Sequence, residues 1–244
     1  MSLVCATTTP GKPEIFASLQ GEGASIGYPS TFVRLSRCNL ACVWCDTPYT
    51  WHFSGDNRPH RGDLQFDRKA NQITLPVEEV AQKIHSLPPR RLVVTGGEPL
   101  LQAGPLAHLL RLLPDFHVEL ETNGTIAVPA ALDEQIDQYN VSPKLAFSGN
   151  ATELALVPER LAYWAQEPRA WFKFVVSDHQ DIEQVLNLRS QFSISSDRLF
   201  VMAEGTESAQ LHERQKWLAD LCIANNLRMA DRLHIHLYGD TRGT

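Results

Sequence analysis

Long apolar runs are missing from this sequence. No stretch approaches the roughly 18 consecutive apolar residues needed to cross a membrane. The opening "MSLVCATTTPGKPEIF" has neither a basic start nor a long apolar core, so neither a span nor a leader is expected. Excess positive charge is missing too: 22 Lys and Arg stand against 28 Asp and Glu, a formal charge of -6. That balance recommends neither nucleic acid nor an anionic membrane as a partner and favours a small molecule. Cysteine is scarce and odd in number, five in 244 residues. This suits a disulfide framework poorly and a reducing, cytoplasmic compartment well. Fixed-period repeats and low-complexity tracts are absent. With 43% apolar residues the chain can bury a sizeable core, and one domain spanning residues 1–244 is expected.

What is present is an alternation of β-branched runs and helical patterns. "TFVRLS" (31–36), "RLVVTG" (91–96), "HVELET" (117–122), "QYNVS" (138–142), "WFKFVV" (171–176) and "RLFVM" (198–202) read as strands. "LHIHL" (233–237) reads as a late strand with His234 and His236 on one face. Between them lie "PVEEVAQKIHSL", "PLLQAGPLAHLLRLL", "ELALVPERLAYWAQ", "DIEQVLNLRSQF" and "ESAQLHERQKWLADLCIANN". These space apolar residues at three and four, as amphipathic helices do, and Cys222 falls on one such face as a core thiol. This is the pattern of repeated βα units. About six parallel strands imply an incomplete, TIM-like barrel with its chemistry at the strand ends. Residues 46–75 are rich in polar, Gly and Pro residues; together with the cysteine loop they give an irregular cover segment at 38–75.

Three of the cysteines, Cys38, Cys42 and Cys45, are spaced Cys-x3-Cys-x2-Cys just after a strand. A structural zinc ion would need a fourth ligand, for which His52 and His60 are the candidates, and three buried thiols without metal are a further alternative. A cube of iron and sulfide on three cysteines keeps one iron open to a small molecule, whereas electron carriers generally use four. Farther on, "VVTGGEP" (93–99) ends the second strand, and "ELETNG" (119–124) and "VSPK" (141–144) end the next two. Each could be a plain strand-exit turn.

The triad with Trp44 beside its last cysteine, followed by the Gly-Gly-Glu-Pro element, resembles the radical S-adenosylmethionine superfamily. The resemblance implies a 4Fe-4S cluster on Cys38, Cys42 and Cys45. Its open iron holds S-adenosylmethionine, and reductive cleavage gives a 5'-deoxyadenosyl radical. It also implies cofactor contacts at Trp44, Cys45, Asp46, Gly97, Glu98, Ser142, Pro143 and Lys144, with Gly96, Glu121 and Asn123 beside them. Lys173, inside an apolar strand, either snorkels outward or enters a polar lumen.

Within the superfamily, "EIFASLQGEGASIGYPSTFVRLSRC" (14–38) and the Asp46–Thr47 pair after Cys45 look like the 7-carboxy-7-deazaguanine synthase family. That family contracts 6-carboxy-5,6,7,8-tetrahydropterin to 7-carboxy-7-deazaguanine with loss of ammonia. The resemblance implies Thr47 as a ligand to Mg2+, a hard cation served by oxygen. It places Leu19, Gln20, Gly21 and Thr95 on the pterin and Arg34 on its carboxylate, although Arg34 could instead pair with Glu22. It further implies a homodimer and a flavodoxin- or ferredoxin-type reductant. The sequence departs from the family at Ala203, where proline is usual, and "RLHIHLYGDTRGT" (232–244), which the resemblance implies can fold over the pterin, ends differently from the family's tail. A glycyl-radical-activating enzyme shares the cysteine spacing but not the Gln-Gly-Glu-Gly loop; a zinc-stabilised binding module is the alternative from outside enzymes.

Overall fold

The computed structural model describes residues 1–62 and 64–244. Its strands are β1 (Ser2–Thr9), β2 (Lys12–Pro13), β3 (Ile15–Leu19), β4 (Pro29–Leu35), β5 (Gln72–Pro76), β6 (Arg91–Gly96), β7 (His117–Thr122), β8 (Gln138–Val141), β9 (Ala170–Val176), β10 (Leu199–Ala203) and β11 (Arg228–Ala230). Its helices are α1 (Arg68–Asn71), α2 (Val77–His85), α3 (Ala103–Arg111), α4 (Ala130–Asp133), α5 (Thr152–Ala155), α6 (Pro158–Gln166), α7 (His179–Phe192), α8 (Ser208–Asn225) and α9 (Leu233–Tyr238).

Seven strands run parallel as successive neighbours, in the order β4, β6, β7, β8, β9, β10, β11. Antiparallel additions extend the β4 side: β3 and β1 on β4, then β2 and β5 on β1. The path runs from β11 to β2, and these ends do not pair among the described residues, so the barrel stays open as expected. Helix ends are set locally. The Asp178 carboxylate accepts from the amides of Gln180 and Asp181 to start α7, and Ser193 and Asn226, both at positive φ, terminate α7 and α8.

Alternation within the strands decides where the polar residues go. Successive strand side chains point to opposite faces. Val33, Leu35, Leu92, Val94, Leu120, Tyr139, Val141, Phe172, Phe174 and Val201 share one buried cluster with the helix residues Leu106, Leu109, Val185 and Leu218. The residues interleaved with them, Arg34, Thr95, Glu121, Asn140, Lys173 and Met202, line a cavity on the opposite face. A charged residue inside an apolar strand is thereby turned inward, which settles Lys173 in favour of the lumen.

Two expectations need correcting. Residues 233–237 form no strand: Leu233–Tyr238 is the six-residue helix α9, with Ile235 buried. The Leu-His-Ile-His-Leu alternation fits period two, but a six-residue helix, fewer than two turns, is too short to display its own period. Tertiary anchoring, with the Leu233 amide donating to the Gly21 carbonyl at 2.9 Å, sets the conformation. His234 and His236 therefore part company. His234 lines the cavity, while His236 bonds the Ser208 hydroxyl (2.6 Å) and the Asp231 carboxylate (3.1 Å). The cover segment also regains order before its predicted end. Asp67 caps α1 through the Ala70 amide, and Gln72–Pro76 pairs with β1.

Candidate active site

The ends of β4 and β6 are laced together by main-chain bonds from Gly97 N to the Leu35 carbonyl (3.1 Å) and from Glu98 N to the Arg37 carbonyl (2.8 Å). Only glycine permits this approach. A Cβ on Gly96 would stand 2.1 Å from the Leu35 oxygen, and one on Gly97 would stand 2.2 Å from the Arg37 oxygen and 3.0 Å from Cys38 Cβ. The glycine pair thus forms a cradle directly against the first cysteine. Glu98, fully buried, turns into the protein: its carboxylate accepts from the amides of Leu100 (3.0 Å) and Asn123 (2.8 Å) and from the Thr122 hydroxyl (3.0 Å). Burial raises its pKa. Glu98 and Pro143 are the predicted residues that lie outside the cavity lining.

Cys38, Cys42 and Cys45 all line the cavity, which holds about 230 Å³. Burial pushes Cys38 up to about 12 and Cys45 up to about 11, and raises Cys42. Among the described residues no three Cys, His, Asp or Glu side chains form a set able to hold one metal ion. His60, a candidate fourth zinc ligand, bonds the Cys45 carbonyl at 2.9 Å instead of reaching a sulfur. Trp44 stacks on Phe147 (5.1 Å) at the cavity wall, and its buried indole N–H has no partner among the described residues. Lys144 donates to Ser142 Oγ at 2.8 Å and lies 5.6 Å from the Trp44 ring. Three thiols, a glycine cradle and an orphaned donor are a donor set that fits an open cluster with a small polar cofactor against it.

Beside Cys45, reached through Asp46, lies a group of charges from distant parts of the chain. Glu22 bonds Lys173 of β9 and, at 3.0 Å, the Nε of Arg232, whose guanidinium also meets Asp46 and the Gly205 carbonyl. Burial works against the Glu22 charge, but Lys173 and then Arg232 outweigh it and hold the carboxyl well below its ordinary range. Asp46 is lowered in the same way, with Arg232 overcoming burial. His234, 3.9 Å from Glu22, is lowered because its burial prevails.

Arg34 pairs through Nε with Glu14 (2.9 Å), not with Glu22, and Glu14 also accepts from the Tyr49 hydroxyl (3.0 Å). This leaves the terminal guanidinium nitrogens without a hydrogen-bond partner among the described residues. Arg242 lies 3.5 Å over the Tyr49 ring, bringing the segment 239–244 across the lining. Gln20 is engaged within the protein: its amide nitrogen donates to Glu119 (2.7 Å) and Glu121 (3.2 Å), and its oxygen accepts from Glu22 N (3.3 Å). Gly21 seats the C-terminal helix, since a Cβ there would stand 2.2 Å from His234 Nδ1. Thr95 donates to Glu121 at 2.7 Å. Thr47 makes no side-chain cap to the turn it precedes, and its hydroxyl lies 3.7 Å from Cys45 Sγ on the cavity wall.

One cavity therefore brings together Leu19, Gln20, Gly21, Arg34, Thr95, Trp44, Asp46, Thr47, Gly97, Ser142, Lys144 and the three cysteines. Sequence reasoning missed Glu14 as a lining residue; Arg232 and Arg242 belong to the C-terminal segment 232–244 that the resemblance placed over the substrate, and they do line the cavity, but neither was singled out. An inward-facing charge adjoining a strand was the available signal for Glu14, whereas Arg232 and Arg242 carry no local pattern.

The chain matches the Radical SAM superfamily over residues 33–145. It is 36% identical to the 7-carboxy-7-deazaguanine synthase of Pyrobaculum aerophilum, over 94% of this chain and 95% of that one. It is likewise 36% identical to the protein of the same name from Hyperthermus butylicus, over 91% and 90% of the two chains. The crystal structure of QueE from Escherichia coli superposes with a TM-score of 0.66 at 25% identity, covering 96% of this chain and 95% of that one. With relatives matched along nearly their whole length, the chain belongs to the 7-carboxy-7-deazaguanine synthase family of radical S-adenosylmethionine enzymes.

Proposed function

We propose that this chain converts 6-carboxy-5,6,7,8-tetrahydropterin to 7-carboxy-7-deazaguanine with release of ammonia. The observation that carries this reading is the meeting, in one cavity, of the three cluster cysteines with an arginine whose terminal nitrogens have no hydrogen-bond partner among the described residues. When bound, the cluster and S-adenosylmethionine supply the organic radical that starts the rearrangement.

The chain's own residues divide the remaining work. Cys38, Cys42 and Cys45 hold the cluster, and the cradle of Gly96 and Gly97 admits the cofactor beside it. Trp44 offers its indole N–H, Lys144 and Ser142 offer polar contacts, and Asp46 is kept ionised by Arg232. Glu98 acts by fixing the cradle, and Pro143 by placing Ser142 and Lys144. Arg34 presents its terminal nitrogens to the substrate carboxylate, a two-pronged contact suited to guanidinium geometry. Glu121, already bonded by Thr95 and Gln20, is oriented to accept from the pterin's N–H groups. Leu19 and the Gly21 main chain complete that wall. Thr47 serves Mg2+ through its hydroxyl oxygen. Residues 1–244 act as one unit, as a homodimer in the cytoplasm, with an electron from a flavodoxin- or ferredoxin-type protein.

The test is anaerobic reconstitution with iron and sulfide, then incubation with the carboxytetrahydropterin, dithionite, S-adenosylmethionine and Mg2+. Ammonia and the ultraviolet absorbance of a deazaguanine are expected to rise together. A reconstituted cluster that cleaves S-adenosylmethionine yet leaves the pterin intact would refute the substrate assignment.

A further inference from the structure

Two of the three cysteine sulfurs receive a side-chain N–H that nothing above has used. The indole nitrogen of Trp51 is 3.4 Å from Cys45 Sγ, and the amide nitrogen of Asn150 is 3.3 Å from Cys42 Sγ. Both donors are held from behind. Trp51 is buried, lies edge-on to the His60 ring at 6.2 Å and is capped on its face by the Arg58 guanidinium at 4.8 Å. Asn150 accepts from the Ala41 amide at 2.9 Å, and its nitrogen also reaches Ser148 Oγ at 3.1 Å, so it is clamped to the cysteine loop itself. They come from different segments, Trp51 from the cover segment and Asn150 from the turn before α5.

We infer that Trp51 and Asn150 are positioning residues that raise the reduction potential of the cluster. The inference rests on the assignment of the cluster to these cysteines. Reduction adds one electron to the cluster, with no bond made or broken and no proton required. An N–H dipole aimed at a ligating sulfur stabilises the extra negative charge, and hydrogen bonds to the sulfurs are among the established determinants of such potentials. In a partly buried wall with little competing water, the effect of each dipole is larger than at an exposed site. The two donors address different thiolates, so their contributions add.

The experiment compares wild type, Trp51→Phe, Asn150→Ala and the double variant after anaerobic reconstitution. Iron and sulfide are assayed first. Reduction by dithionite, itself oxidised as it gives up the electron, is then followed by electron paramagnetic resonance at a series of fixed potentials. Phe keeps an aromatic ring in the Trp51 site and removes the donor, and the iron and sulfide assay reports any loss of packing. Both single variants are expected to show a midpoint more negative than wild type, with the double variant displaced by their sum and iron content unchanged in Trp51→Phe. Full cluster content with unmoved midpoints would overturn the inference, as would reduced content with an unmoved midpoint in the remaining clusters, which is the result of a purely structural role. Failure of the wild type to bind iron and sulfide would instead overturn the cluster assignment.

Discussion

Replacing Arg232 with methionine probes the charge group that joins the C-terminal segment to the cysteine loop. Methionine keeps much of the side-chain volume and removes three contacts at once: Glu22 at 3.0 Å, Asp46, and the Gly205 carbonyl. Removing one partner of a buried ion pair costs about 3–5 kcal/mol, because the other charge is left behind. Here two features moderate that cost. Glu22 keeps Lys173, and the Asp46 side chain is 35% exposed, so water can recover part of its solvation. The low end of the range, roughly 3 kcal/mol, is therefore expected, a substantial share of the 5–15 kcal/mol typical of a domain. Anaerobic urea unfolding monitored by tryptophan fluorescence measures it. The pH response gives a second readout. Glu22 is held below its ordinary range, whereas an unfolded glutamate titrates near pH ~4.3. Its contribution is complete above that value and disappears as the pH falls through the folded value. With Arg232 gone the folded value rises toward the ordinary one, so the loss of stability in acid should become shallower. A change below about 1 kcal/mol at neutral pH, the range of an exposed pair, would refute the reasoning.

Further consequences follow from the same geometry. Glu14→Gln should release Arg34 from its ionic anchor and raise KM for the substrate roughly tenfold with little change in kcat, matching the ~1.5 kcal/mol of a charge-assisted hydrogen bond; steady-state kinetics decide it, and an equal fall in kcat would argue against a binding role. Thr47→Ala should weaken the dependence of turnover on Mg2+ and leave iron content unchanged, so an unaltered Mg2+ response would contradict that ligand. Gly97→Ala forces a methyl to within 2.2 Å of the Arg37 oxygen; a loss of roughly 3 kcal/mol is expected from such overpacking, with poorer iron loading, and normal stability would show that the cradle is slack.

The parallel strands were legible because β-branched and aromatic runs, several of them ending in Gly, Thr or Ser, mark them locally, and six of the seven parallel strands lie where those runs are. β11 was not legible: three residues with one buried leave no pattern. The late strand was misread for the opposite reason, a pattern of alternating histidines that tertiary contacts overrode. In the site, the cysteines and Gly96–Gly97 were legible since their chemistry is written in contiguous spacing. The partnership of Glu22 with Lys173 and Arg232 was not, because those residues meet only after β9 and the C-terminal segment are brought beside the loop following β3. The pairing of Arg34 with Glu14 follows from antiparallel β3–β4 register, with Ile15 opposite Val33, which composition alone does not supply.

The central claim is that Cys38, Cys42 and Cys45 hold a cluster with one iron open to S-adenosylmethionine. Electron paramagnetic resonance of the reduced, reconstituted protein with and without S-adenosylmethionine tests it most directly. The expected result is a reduced-cluster signal whose shape changes when S-adenosylmethionine is added, together with acid-labile sulfide. Zinc without sulfide, or a cluster signal indifferent to S-adenosylmethionine, would contradict it.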